Sequence, residues 1–141
     1  MYKPKYFKIQ ELVCPHVYEK YGSRAWNFFH REFLQDLDRL RELLGCPVFI
    51  NDWHVGGTYS QSGLRCPLCA VKKDFTMSAH QLGGAVDIKT RAHFSGQIAE
   101  KIISNYKVFK SFKRIENTLH TPSWCHIDTR GHHDGIVFFN P

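Results

Sequence analysis

Apolar residues recur at three- and four-residue steps between Ala25 and Leu44, at Trp26, Phe29, Phe33, Leu37, Leu40 and Leu44. That spacing predicts a helix with one buried face. Ser23 is placed to cap it, Gly45 stops it, and Pro47 prevents its return. Upstream, Tyr6 to Val13 reads as a short extended lead-in, followed by a turn at Cys14-Pro15-His16. Val48 to Asn51 and Ala85 to Ile88 read as short buried strands. A helix from Ser95 to Tyr106 turns Ile98, Ile102 and Tyr106 inward. Phe112 to Glu116, Ser123 to Asp128 and Ile136 to Phe139 complete the strands. Short strands after helices, joined by tight turns, predict an α+β domain with a small, mainly antiparallel sheet and flanking helices.

Asp52 to Met77 breaks the pattern. It is rich in Gly, Ser and charge and has no clear period. A loop of that length in a compact domain is usually functional or held by something.

The 141 residues fit one domain, 1–141, and the 43% hydrophobic share is enough to build its core. No apolar run approaches the roughly 18 residues of a membrane span. Met1 to Lys8 lacks the apolar stretch of a signal peptide, so cytoplasmic synthesis without an export signal is expected. The net charge of +6 favours nucleic acid, anionic lipid or an anionic cell wall as partner. The basic residues are scattered, however, which argues against a nucleic-acid stripe. Five cysteines without a secretion signal disfavour a disulfide framework and point to free thiols or a metal.

Nine histidines invite a search for ligand spacing. Two segments stand out: Ser78-Ala79-His80-Gln81-Leu82-Gly83-Gly84-Ala85-Val86-Asp87 and Trp124-Cys125-His126-Ile127-Asp128. Together they offer two imidazoles and a carboxylate, the ligand set of a catalytic zinc site with its fourth position open to water. Gly83 and Gly84 let the backbone bend between His80 and Asp87. A period of two puts Trp124, His126 and Asp128 on one strand face and Cys125 and Ile127 on the other. Asp128 either orients a ligand histidine or solvates the strand end. Trp124 reads as a core or pocket-wall aromatic, and Ser78 as a turn residue.

Cys66-Pro67-Leu68-Cys69 is a Cys-x-x-Cys pair. With Cys14 or His16 it could make a second, structural zinc site pinning the long loop; the plainer reading is two free thiols. No strand–motif–helix pattern supports a thioredoxin-like role. Cys46 and Cys125 read as buried, and His132-His133-Asp134 as an exposed hairpin tip.

The two histidine segments resemble the zinc D-Ala-D-Ala peptidases, whose fold is shared with the signalling domain of Hedgehog proteins. The family pattern is Ser-x-His-x-x-Gly-x-Ala-x-Asp, then Trp-x-His. Ser78, His80, Gly83, Ala85 and Asp87 match the first part, and Trp124 and His126 the second. Phe7 to Val13, the helix through Leu34 to Leu44, and Pro47 to Asn51 look more loosely like the phage-associated branch. The resemblance implies zinc ligands at His80, Asp87 and His126. It implies a substrate-holding arginine, best matched by Arg65 of Gly63-Leu64-Arg65. Many catalytic members carry an acidic general base three residues before the second histidine, where this chain has Ser123. Glu116, His120 or Asp128 could replace it. Glu116 is favoured, because an antiparallel neighbour roughly 4.5–5.5 Å away could reach a metal-bound water.

The implied activity is that of a zinc-dependent peptidase, a monomer, acting on peptidoglycan stem peptides. It would be a phage lytic or virion enzyme that reaches the wall through a pore or from outside. The alternative is a non-catalytic zinc-binding structural or virion module of the same fold.

Overall fold

The computed structural model describes residues 1–69 and 77–141. Part of the unpatterned Asp52 to Met77 stretch therefore lies outside the described residues. Helix α1 spans Ile9–Leu12, α2 Pro15–Tyr21, α3 Arg31–Leu44 and α4 Ser95–Ser104. Strands β1 Ala85–Ile88, β2 Arg114–Glu116, β3 Cys125–Asp128 and β4 Val137–Phe139 form one sheet in the order β1-β3-β2-β4.

The architecture is α+β, but the sheet is mixed. β1–β3 and β2–β3 are antiparallel, whereas β2–β4 is parallel. The chain leaves β3, passes β2 and lands beyond it, so residues 129–136 form a crossover and not the expected hairpin tip. Strand-length apolar runs carry no information about which neighbour a strand chooses.

Local expectations fail where the chain is short of residues to declare a period. The lead-in contains a single helical turn, α1, whose Glu11 carboxylate accepts the Lys8 amide at 2.7 Å. Cys14-Pro15-His16 opens a helix, with Pro15 at the first helical position, where its missing N–H is harmless. The helix expected from Ala25 starts at Arg31. Gly22–Phe28 is 3-10, and Phe29 and His30 are extended. Trp26 and Phe29 are nonetheless buried, so the spacing reported burial shared by two segments. Ser23 makes no side-chain cap. Gly45 does end α3 in the left-handed region, at φ 64. Val48 to Asn51 is not a strand; Phe49 makes one isolated bridge to Lys89. Helix α4 ends at Ser104 with Ile98 and Ile102 buried, while Tyr106 starts a 3-10 turn and is exposed.

Val86, Ile88, Ile115, Cys125 and Ile127 are buried on one sheet face. Helix α4 packs on β3 and α3 on α4. Phe33 and Phe112 meet edge-on at 6.0 Å between centroids. Asp36 of α3, fully buried, accepts hydrogen bonds from the Lys110 amide and from the amide and hydroxyl of Ser111, anchoring the segment before β2. Among the described residues, no helix is long and apolar enough to cross a membrane.

Candidate metal centres

The opposite sheet face carries the polar residues. In the β1–β3 register Asp87 stands directly across from His126, and Ala85 across from Asp128. His80 arrives from the turn before β1. That turn is tied by Gln81 N–H to Ser78 O at 3.0 Å and Gly84 N–H to Ala79 O at 3.0 Å. Gly83 sits at φ 69, and a Cβ there would lie 2.4 Å from the Phe28 carbonyl oxygen, so the bend needs glycine.

His80 Nε2, Asp87 Oδ1 and His126 Nδ1 form a triangle with sides of 3.2, 2.8 and 3.3 Å. Around a tetrahedral centre with bonds of about 2.0–2.1 Å, ligand atoms stand roughly 3.3 Å apart. The three groups therefore fit a zinc-sized ion as they stand. All three are buried.

Their partners set the tautomers. His80 Nδ1 donates to the Gly63 carbonyl at 2.9 Å, leaving the Nε2 lone pair toward the triangle. His126 Nε2 lies 3.3 Å from Asp128 Oδ2, which turns Nδ1 inward. Asp128 is itself gripped by Arg114 at 2.9 and 2.6 Å and by the Arg130 amide at 2.9 Å. Of the two readings of Asp128, the structure therefore selects the one that orients a histidine. Burial alone would lower the His126 pKa, but its hydrogen bonds to Asp128 and Asp87 raise it to about 9. Burial pushes the Asp87 and Asp128 carboxyls up, and their hydrogen bonds to His126, with those from His80 and Arg114, hold both well below the usual carboxylate range.

Arg65 lies beside the triangle, its Nη2 3.2 Å from Asp87 Oδ2. A cleft of roughly 360 Å³ opens there, lined by Tyr59, Ser62, Arg65, Asp87, Lys89 and Trp124 among others. Trp124 is 38% exposed and belongs to the cleft wall, not to the core. Lys89 donates to Ser62 Oγ at 2.8 Å and to the Asp87 carbonyl at 3.2 Å. Burial lowers its pKa to about 8 against the opposing charges of Asp87 and Asp52. The cleft thus joins a carboxylate edge to two cationic side chains.

The residues weighed as general base separate clearly. Asp128 is engaged by Arg114, and His120 and Ser123 are exposed. Extending the β2–β3 register one step past Ile115–Ile127 places Glu116 opposite His126. Arg114 and Asp128 bond to each other, so Glu116, two residues on, shares their sheet face. It is half-buried and forms no ion pair among the described residues. Phe139, its β4 neighbour, packs edge-on against His126 at 5.8 Å and under Arg114 at 4.1 Å.

A second cluster brings together Cys14, His16, Cys66 and Cys69, one ligand atom from each lying within 4.8 Å of the others; it could hold a metal ion. His16 Nδ1 is 3.2 Å from Cys69 Sγ and 3.5 Å from Cys66 Sγ. Burial would raise the Cys66 thiol, but hydrogen bonds from Cys69 and Cys14 bring it to about 7. Burial and the Cys14 charge push Cys69 up to about 12. All five cysteines are free. Cys125 is buried as expected, and Cys46 only half-buried.

Sequence reading overlooked Lys89, Arg114 and Tyr59. None belongs to a spaced motif, and only strand register and loop packing bring them to the site. His133 belongs to neither cluster; its Nε2 donates to the Lys113 carbonyl at 3.0 Å.

Compared with protein-family models, with curated proteins and with solved structures, the chain finds no significant match.

Proposed function

We propose that this chain is a zinc-dependent metallopeptidase with the fold of the D-Ala-D-Ala peptidases and Hedgehog domains, cleaving peptidoglycan stem peptides. The reading rests on one observation: His80, Asp87 and His126 converge from separate stretches at tetrahedral spacing, beside a cleft. Three protein ligands leave a fourth position, the arrangement of catalytic rather than structural zinc. Zinc bound there supplies Lewis acidity, polarising a carbonyl and lowering the pKa of a water to about 7.

The chain's residues do the rest. Arg65 lines the cleft with its Nε held by the Gln61 carbonyl, and the guanidinium N–H groups beyond its bonds to Gln61 and Asp87 would serve a peptide carboxylate or a developing oxyanion. Its ion pair with Asp87 Oδ2 keeps the guanidinium against the triad. Glu116 takes a proton from the attacking water and returns it to the leaving amine. Asp128 keeps the His126 ring turned.

A muropeptide digest tests this. Zinc-loaded wild type should cleave, His126→Ala should not, and Glu116→Gln should be slower by about 100- to 10,000-fold. Cleavage by His126→Ala would sink the zinc reading, and full activity of Glu116→Gln would remove Glu116 from its role. The second reading is a zinc-binding module without catalysis. Ser123, exposed where catalytic relatives of the resembled family carry an acid, favours it. Zinc at full stoichiometry with no cleavage would establish that reading.

A further inference from the structure

The segment from Ser62 to Cys69 is engaged at nearly every residue, and it runs from one metal-ligating cluster to the other. The Ser62 amide donates to Asn51 Oδ1 at 2.8 Å, and its carbonyl accepts from the Asp87 amide at 2.8 Å. The Gly63 carbonyl holds His80 Nδ1. A Cβ on Gly63 would lie 2.2 Å from the Leu12 carbonyl oxygen, so the two strands of chain touch backbone to backbone. Leu64 bonds Leu12 and Cys14 at 2.8 and 3.0 Å. Arg65 bonds the His80 carbonyl through its amide and Asp87 through its guanidinium. Cys66 and Cys69 then meet Cys14 and His16.

We infer that Cys14, His16, Cys66 and Cys69 form a closed, thiolate-rich zinc site that, through residues 63–66, sets the positions of Arg65 and the His80 ring. The ligands come in two short-spaced pairs, Cys14-x-His16 and Cys66-x-x-Cys69, from segments about fifty residues apart. Three sulfurs and one imidazole nitrogen make a Cys3His set, which fills a tetrahedral ion and leaves no place for substrate. A dithiol redox pair would need neither the third thiol nor His16. Among the described residues, the Pro67–Cys69 turn is 3-10 and no named strand leads into Cys66, unlike the strand-motif order of a redox pair. Neither the ligand set nor its test depends on the peptidase reading.

Cobalt substitution separates the two centres. Wild type should bind two equivalents and show thiolate-to-cobalt charge-transfer absorption. His80→Ala should keep that absorption and lose one equivalent. Cys66→Ser/Cys69→Ser should lose the absorption, and its remaining centre should bind cobalt about 10-fold or more weakly, as for loss of an outer partner of a ligand histidine. If that double variant does not fold, cadmium-113 NMR of wild type replaces it, with one thiolate-shifted resonance expected beside one from nitrogen and oxygen ligands. Folded wild type without any thiolate–metal signal, or with a Cys66–Cys69 disulfide in its place, would overturn the second site. Unchanged cobalt affinity at the triad of a folded double variant would overturn its role in positioning.

Discussion

Asp87 and His126 face each other across the β1–β3 pair, with Asp87 Oδ1 2.8 Å from His126 Nδ1. Antiparallel pairing alone puts these two candidate ligands opposite one another. The β1 turn then has only to deliver His80. The other Asp87 oxygen goes to Arg65, so one carboxylate links the ligand triangle to the cleft.

Asp128→Asn should weaken zinc binding at the triad by about 10- to 100-fold while leaving the three ligands in place. The carboxylate fixes His126 through Nε2 and is held in turn by Arg114. Competition with a chromophoric chelator measures the change. An unaltered affinity would show that the His126 ring does not need this partner.

Zinc and protons compete for His126 Nδ1. With the imidazole raised to about 9, zinc affinity at the triad should fall by about tenfold per pH unit as pH drops below that value. In chelated protein the sign reverses. The charged ring between two carboxylates stabilises the fold fully below about 6.5, and that contribution is lost as pH rises through about 9. Zinc titrations and thermal melts across this range should therefore show opposite trends.

Gly83→Ala should destabilise the fold by about 1–3 kcal/mol. The added methyl meets the Phe28 carbonyl at 2.4 Å on a left-handed backbone. Because the same turn carries His80, the variant should also bind zinc more weakly. Denaturant unfolding and a zinc titration on one preparation check both effects.

Asp36→Ala should cost about 3–5 kcal/mol. It removes a fully buried carboxylate and leaves the amides of Lys110 and Ser111 without their acceptor. The change lies away from both metal clusters, so metal stoichiometry in the folded fraction should be unchanged. Unfolding at the wild-type midpoint would contradict the anchoring role.

What could be read from the chain was local chemistry. His80, Asp87 and His126 were visible as spaced ligands, and Cys66 and Cys69 as a pair. The strands at 85–88, 114–116, 125–128 and 137–139 lie inside or at their expected ranges. The α1 turn, the extended break at Phe29 and His30, and the failed strand at 48–51 were not legible. Each is shorter than the stretch over which a period can declare itself.

Sequence by itself determined the residue types of the two candidate clusters and their short spacings, the face-splitting alternation in β3, and the glycine bend after His80, because these depend on neighbours along the chain. Tertiary structure alone decided that Cys14 and His16 complete the Cys66–Cys69 pair, that Arg114 grips Asp128, and that β4 lies parallel to β2. Those relationships join residues 14 to 55 positions apart, and it is packing and strand choice, not local preference, that brings such distant groups together.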